Sequence, residues 1–519
     1  MQLVAYGAQD IYLTGNPQIT YFKTVYRRHT NFSMESIEQV WCGDSLCGRA
    51  TSTISRNGDL VHKLYLQQTI NVINSNESIN NVSGKTINNG GAFVYNPTHT
   101  GIDQVEVEIG GQMIDRQSGK WMEVYSQLTE PNSGGNLGIV GPNTGTKFQN
   151  MSRGGGVIVT SLGDLVDKVG SGQSNAVVIV LDSITEDRKN KESNTKFDAY
   201  VPLKFWFCRN PGLALPLIAL QYHEVKINIE LKKAATDDNA LCLGNKLEYE
   251  CNRLFADYIY LDTDERRRFA QVSHEYLIEQ VQHQKFLNTG GDLNLNFNHP
   301  VKEIIWTGGQ NDRTGLFGRL PGGTANYKTN DYYLDKLHNN NITYQLILNG
   351  QDRMSARPLE YYTKQQVYDY HTGTPVGSGD SYTIEDISCL TKKNDTPGST
   401  PPISLGMDET HQKHPELSPP KTQLLEKNIY TQAILQTGLG QASNDAIAVY
   451  SFSLKPEEHQ PSGTCNFSRI DSARLVINNA PNIQVGNNND CCCDEYDVYA
   501  INYNVLRIMS GMGGLAYSN

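Results

Sequence analysis

Ile37-Glu38-Gln39-Val40 recurs unchanged as Ile278-Glu279-Gln280-Val281, 241 residues further along the chain. Val61-His62-Lys63-Leu64 resembles Val301-Lys302-Glu303-Ile304 at an offset of 240. Glu108-Ile109-Gly110-Gly111-Gln112 resembles Ile347-Leu348-Asn349-Gly350-Gln351 at an offset of 239. Any one of these matches arises by chance. Three in the same order at nearly one offset read as two related halves of about 240 residues each. A further likeness, Ala219-Leu220-Gln221-Tyr222 to Ala500-Ile501-Asn502-Tyr503, needs an offset of 281 and enters the argument only if an insertion at 371–420 absorbs the difference.

Each half reads as β-structure. The chain holds 46 Gly and 28 Tyr, with abundant Asn and Thr and few stretches of helical apolar spacing. Short apolar or alternating runs predict strands over 60–66, 104–109, 176–181, 225–231, 258–261, 301–306, 344–348 and 446–454, separated by Gly, Asn, Pro and Ser clusters. Polar stretches over 71–91, 131–156, 307–341 and 371–420 predict long surface loops. The expected fold class is therefore all-β: two tandem eight-stranded jelly-roll sandwiches, a double jelly roll, with long loops and short helices. Residues 1–28 form an N-terminal arm, 29–262 the first jelly roll and 263–519 the second. Three copies of such a chain about an axis present six similar units, a pseudo-hexagon able to tile a surface.

Composition excludes several classes. Against 44 Lys and Arg stand 55 Asp and Glu, a net charge of −11 that lacks the basic excess phosphate neutralisation demands, so no direct nucleic-acid contact is expected. The longest apolar run, Leu213 to Leu220, contains Pro216 and is far short of the roughly 20 residues needed to span a bilayer. Met1 to Asp10 has no basic start and no apolar core of a secretory signal. The 10 cysteines are too sparse for a disulfide scaffold and are expected to be mostly buried, reduced thiols. Cys491-Cys492-Cys493 cannot all ligate one tetrahedral zinc from a strand, because neighbouring side chains point to opposite faces.

Longer strings then carry a resemblance. Tyr12-Leu13-Thr14-Gly15-Asn16-Pro17-Gln18-Ile19-Thr20, Asn210-Pro211-Gly212-Leu213-Ala214-Leu215-Pro216, Leu348-Asn349-Gly350-Gln351-Asp352-Arg353, Gln460-Pro461-Ser462-Gly463-Thr464-Cys465-Asn466-Phe467 and the terminal 502–517 stretch are similar to motifs of the major capsid proteins of nucleocytoplasmic large DNA viruses, in their chlorovirus-like and mimivirus-like branch. The likeness runs from the first residues to the last twenty, loops apart. It implies a structural virion protein that trimerises into pseudo-hexagonal capsomers, which tile an icosahedral shell. It implies as partners neighbouring capsomers, minor capsid proteins beneath the shell and a nearby internal viral membrane, with assembly in the host cell cytoplasm.

No catalytic, cofactor or metal residue is expected. Gly84-Lys85-Thr86 ends like a phosphate-binding loop but has Ile79 where the loop's first Gly belongs. His274-Glu275 begins like a zinc-protease helix, yet position 278 is Ile. His411 and His414 sit amid Pro, Ser and Lys and read as solvated. Arg266, Arg267 and Arg268 follow Asp262 and Asp264 where the halves meet; beside a reading as a self-compensating charge cluster stands one as contacts between the halves or with a trimer neighbour. Candidate glycan acceptors are Asn76, Asn81, Asn150, Asn341 and Asn394. The rival function is a carbohydrate- or receptor-binding β-sandwich, with loop aromatics such as Tyr327, Tyr332 and Tyr333 on its binding surface.

Overall fold

The computed structural model describes residues 8–43, 48–74, 79–80, 86–87, 93–94, 97–130, 151–152, 157–158, 194–231, 245–287, 292–309, 343–352, 355–373, 447–478 and 495–517. In the first half β1 (Phe32–Gln39), β2 (Arg49–Thr53), β3 (Leu60–Asn74), β4 (Ile102–Ile109), β5 (Gln112–Ser118), β6 (Asn194–Pro202), β7 (Val225–Leu231) and β8 (Asn245–Leu261) form two antiparallel sheets. Their strand orders are β1-β8-β3-β6 and β2-β7-β4-β5. The second half supplies β9 (His274–Leu287), β10 (Asp292–Asn294), β11 (Pro300–Gly309), β12 (Thr343–Leu348), β13 (Gln351–Asp352), β14 (Ile447–Ser451), β15 (Ala473–Asn478) and β16 (Glu495–Met509). Here the orders are β9-β16-β11-β14 and β10-β15-β12-β13. Strand for strand this is the first pattern repeated, two sheets packed face to face in jelly-roll order. A last strand, β17 (Met512–Leu515), pairs with β16.

Alternation explains the packing. In β12 and β15 every second residue is buried, placing Tyr344, Leu346, Leu475 and Ile477 inside with Trp306 and Val498. The first core gathers Val61, Leu64, Val107, Ile227, Leu254 and Trp206 in the same way. Among the described residues no helix is long and apolar enough to cross a membrane.

Two of the sequence matches are structural equivalents down to their irregularities. Val61 and Leu64 lie opposite Tyr258 and Ala256, while Val301 and Ile304 lie opposite Asn502 and Ala500, so both third strands carry one extra residue at the same point. The turns β4–β5 and β12–β13 both have two positive-φ residues, Gly110 (59°) with Gly111 (85°) and Asn349 (54°) with Gly350 (69°), the hairpin turn whose twist suits its strands. The identical tetrapeptide behaves differently. Ile37 pairs with Ala256 in the row of Leu64, but Ile278 pairs with Asn504, beyond Ala500, the partner of Ile304. The reason is that β9 and β16 overshoot their own sandwich: Ile278, Leu506 and Ile508 are buried in the core of the first barrel.

Residues 8–31 are exposed almost throughout, including Ile11, Tyr12, Leu13, Ile19, Phe22 and Tyr26. The strand expected over 176–181 and the Cys491–Cys493 triplet lie outside the described residues. Burial of the cysteines was expected; of those described, Cys42 is exposed, and Cys208, Cys251 and Cys465 are half-buried. Each sits on a strand face or helix end that the sandwich leaves partly open.

Candidate functional site

The two sandwiches meet through a helix and a chain of buried charge. Helix α1 (Gly119–Thr129) starts directly after β5, where the Ser118 hydroxyl accepts from the Trp121 amide as an N-cap. Its Trp121, Val124, Tyr125 and Leu128, at helical spacing, bury one stripe against Ile305, Ile447, Val449, Tyr499 and Ile501, the outer face of β11, β14 and β16. The opposite stripe, including Met122, packs into its own barrel. A single 11-residue helix thus mortises both sandwiches together. Gly373 approaches the end of α1 closely enough for its amide to donate to Leu128 O at 2.7 Å, and a Cβ there would collide with Gln127 O.

Beside this apolar contact runs a chain of buried charge. Glu279 accepts from Arg209 Nη1 at 2.8 Å across the junction and from Lys302 Nζ at 2.8 Å. Burial alone would raise its pKa, but Arg209 and Lys302 together hold it well below the usual carboxylate range. Arg209 also donates to the Tyr125 hydroxyl at 2.8 Å. Further along, Asp497 is paired with Lys120 of α1 and with His283 Nε2 at 2.7 Å. Burial opposes its charge too, and Lys120 and His283 hold it ionised, again well below the ordinary value. Gln280 donates to Ile114 O, and the Val281 amide to Asp115 Oδ1 at 3.2 Å. A cleft of about 570 Å³ opens at the edge of the junction, lined by Lys63, Tyr65, Lys204, Arg209 and Glu457 among others.

Asp115 is the weak point of this polar seam. Burial pushes its pKa from 3.8 to about 7, against the pull of the Val281 amide, Gln117 and Arg209. A carboxyl whose folded pKa is raised binds its proton more tightly when folded, so its contribution is full below 3.8 and declines as pH rises to about 7. Asp115→Asn is therefore expected to gain on the unaltered chain as pH goes from 5 to 8, by about 2–4 kcal/mol. Chemical denaturation at both pH values checks it; equal differences at the two would refute the buried titration.

The sequence-derived residues fall as follows. Arg266 lies on α2 (Thr263–Gln271), where its Nε is 3.0 Å from Asp59 Oδ1 of the first barrel; Asp262 caps that helix. Arg267 and Arg268 are exposed on the same helix. His274 opens β9, its Nε2 2.8 Å from Phe269 O, on a strand rather than a helix. Asn76, Asn81, Asn150, Asn341 and Asn394 lie outside the described residues, as do Gly84, Lys85, His411, His414, Tyr327, Tyr332 and Tyr333. Sequence reasoning passed over α1 and the Arg209–Glu279–Lys302 cluster. The helix had a readable signal, a Ser cap followed by apolar residues at 121, 124, 125 and 128.

Two jelly rolls of one topology, fused side by side through a buried seam, define a capsid-type building block. Comparison with known proteins agrees. A model described as "Major capsid protein N-terminus" matches residues 20–262, and one described as "Large eukaryotic DNA virus major capsid protein" matches 265–385 and 430–514. The chain is 40% identical over its whole length to the major capsid protein of Pyramimonas orientalis virus, covering 99% of it. It is 33% identical to that of Paramecium bursaria Chlorella virus 1 over all of this chain and 99% of the relative. A solved PBCV-1 virus capsid model matches with TM-score 0.60 and 29% identity over 96% of this chain and 100% of that one. The Faustovirus major capsid protein shares the fold at TM-score 0.53 and 12% identity, over 97% of this chain and 94% of that one. The chain belongs to the family of major capsid proteins of large eukaryotic DNA viruses, and it is a structural component of the virion's shell.

Proposed function

We propose that the chain works as a homotrimer, a capsomer in which three double barrels present six similar units, and that such trimers tile the icosahedral shell. The observation that carries this reading is the repeated strand order of two barrels joined through a buried seam, since a threefold axis then gives a sixfold outline. Light scattering on the purified chain is expected to give about three times 57.8 kDa, with hexagonal particles in negative stain. A stable monomer that binds sugar would instead support the carbohydrate- or receptor-binding sandwich.

Residues 29–262 and 263–519 serve as the two shell-forming barrels, and 1–28 as an arm that covers a neighbouring capsomer or a minor capsid protein beneath the shell. The large apolar side chains left in solvent at Ile11, Tyr12, Leu13 and Phe22 support the arm, because such a stripe gains most by burial against a second surface. Deleting Met1 to Thr14 is expected to leave the trimer's mass unchanged and to reduce closed shells in a reconstituted or in-cell assembly. Shells forming at the usual yield would argue that the segment is dispensable. Arg267 and Arg268 offer a further contact to a neighbouring chain, and glycans on the outer loops a modification; an intact virion protein of unmodified sequence mass would remove the latter.

A further inference from the structure

The two barrels repeat their helices as well as their strands. Ser118 pairs with Gln104 at the end of β5, and Pro358 pairs with Thr343 at the corresponding place in the second barrel. Each is followed at once by a helix, α1 in the first barrel and, in the second, a π-helical turn Tyr361–Gln365 continued by α3 (Gln366–Tyr370). At the offset of 240 fixed by these pairs, the inward stripes agree position by position. Met122, Glu123, Ser126 and Gln127 are buried, and so are Tyr362, Thr363, Gln366 and Val367.

The outward stripes occupy equivalent positions but have opposite fates. Trp121, Val124, Tyr125 and Leu128 are buried on the other barrel. Their counterparts are Tyr361, half-buried, with Lys364, Gln365 and Tyr368 exposed, Tyr368 at 87%. The receiving face shows the same asymmetry. Through the shared bulge, Ile305, Tyr499, Val449 and Ile447 of the second barrel correspond to Tyr65, Phe255, Pro202 and Tyr200 of the first. The first set is buried under α1 together with Val367 of the second barrel's own helix, whereas Tyr65, Phe255 and Pro202 are half-buried and Tyr200 is 42% exposed.

We infer that the helical segment 361–370 docks on the outer face of the β1-β8-β3-β6 sheet of a second copy of this chain, repeating between chains the contact that α1 makes within one. The second barrel supplies the helix and the first barrel the receiving sheet, a head-to-tail contact that closes after three copies with three internal and three external junctions in alternation. The external junction is the more polar: Lys364 and Gln365 stand where Val124 and Tyr125 stand in the internal one, as suits faces that must first exist in water. This inference rests on the trimer proposed above and specifies which surfaces form it.

The test uses the full chain. Tyr368→Glu, at a concentration where the unaltered chain is trimeric, is expected to run as a monomer by light scattering with an unchanged circular dichroism spectrum. Tyr368→Cys combined with Tyr200→Cys, treated with a short bismaleimide, is expected to give a dimer and trimer ladder on a denaturing gel that neither single variant gives. A trimer that tolerates Tyr368→Glu and yields no ladder would overturn the assignment while leaving the trimer standing. Dissociation without a ladder would overturn the receiving sheet, and an unaltered chain that is monomeric would remove the trimer itself.

Discussion

Glu279→Gln is expected to lower the unfolding free energy by about 3–5 kcal/mol, because it leaves two buried cations without their shared counterion. Lys302 is almost fully buried and Arg209 largely so, and both point at this one carboxylate. The neutral amide keeps the volume, so a loss of this size reports charge and not packing. Its pH signature is distinctive. The folded carboxyl titrates well below its ordinary value of 4.5, so its contribution is complete above that pH and is lost as pH falls through the folded value. The unaltered chain should therefore lose stability in acid over a range where the variant does not. Urea denaturation at pH 7 and at pH 3.5 measures both statements; a variant within about 1 kcal/mol of the unaltered chain at pH 7 would show that the cations find other partners. A second change, Lys302→Met, should restore part of the loss, since it removes one of the stranded charges.

Trp121→Ala is expected to cost a similar 3–5 kcal/mol by a different mechanism, the loss of apolar contact plus the cavity left behind. The Trp121 ring lies 5.0 Å from that of Tyr499 and 5.5 Å from that of Tyr125, at the centre of the stripe that joins the barrels. Because α1 keeps its inward stripe and β9 and β16 still reach into the first barrel, each sandwich retains its core. The loss should then appear as a lower unfolding temperature for one joint transition and as easier proteolysis at the junction, since the overshooting strands still couple the halves. Calorimetry of the variant decides: a transition at the unaltered temperature would mean that the ion cluster and the overshooting strands hold the junction without this contact.

How much of this was legible beforehand depended on how local the cause was. The bulge after Val61 and Val301 and the turns at Gly110-Gly111 and Asn349-Gly350 are set by a few neighbouring residues, so similar strings folded alike. The tetrapeptide of Ile37 and Ile278 misled about register, because the same four residues fit a strand at either position and the overshoot of β9 is decided by the other barrel. Arg209, Glu279 and Lys302 are separated by 70 and 23 residues, and nothing in a linear string distinguishes a buried ion partner from a solvated charge. The arginine run beside Asp262 was visible as charge, but Asp59, the partner of Arg266, sits on the far side of the first barrel's sequence. Family-like strings carried the architecture; pairings across the seam needed coordinates.

The overshoot of β9 and β16 also sets an order of events during synthesis. The first barrel's apolar interior includes Leu506 and Ile508 of β16, which leave the ribosome after the other strands of both sandwiches but β17. Until they arrive, one end of that interior faces water, and the contacts that close it, such as the Tyr222 amide to Gly511 O, His223 to Gly513 and the Leu515 amide to Gln112 Oε1, join residues far apart in the chain, the slowest kind of loop to close. A chain cut short by premature termination cannot seal even its N-terminal half. Strand β16, which follows the other strands of both sandwiches but β17, thus acts as a check that the second barrel has been made, applied before any copy is compact enough to join a shell in which one defective subunit would be locked beside sound ones.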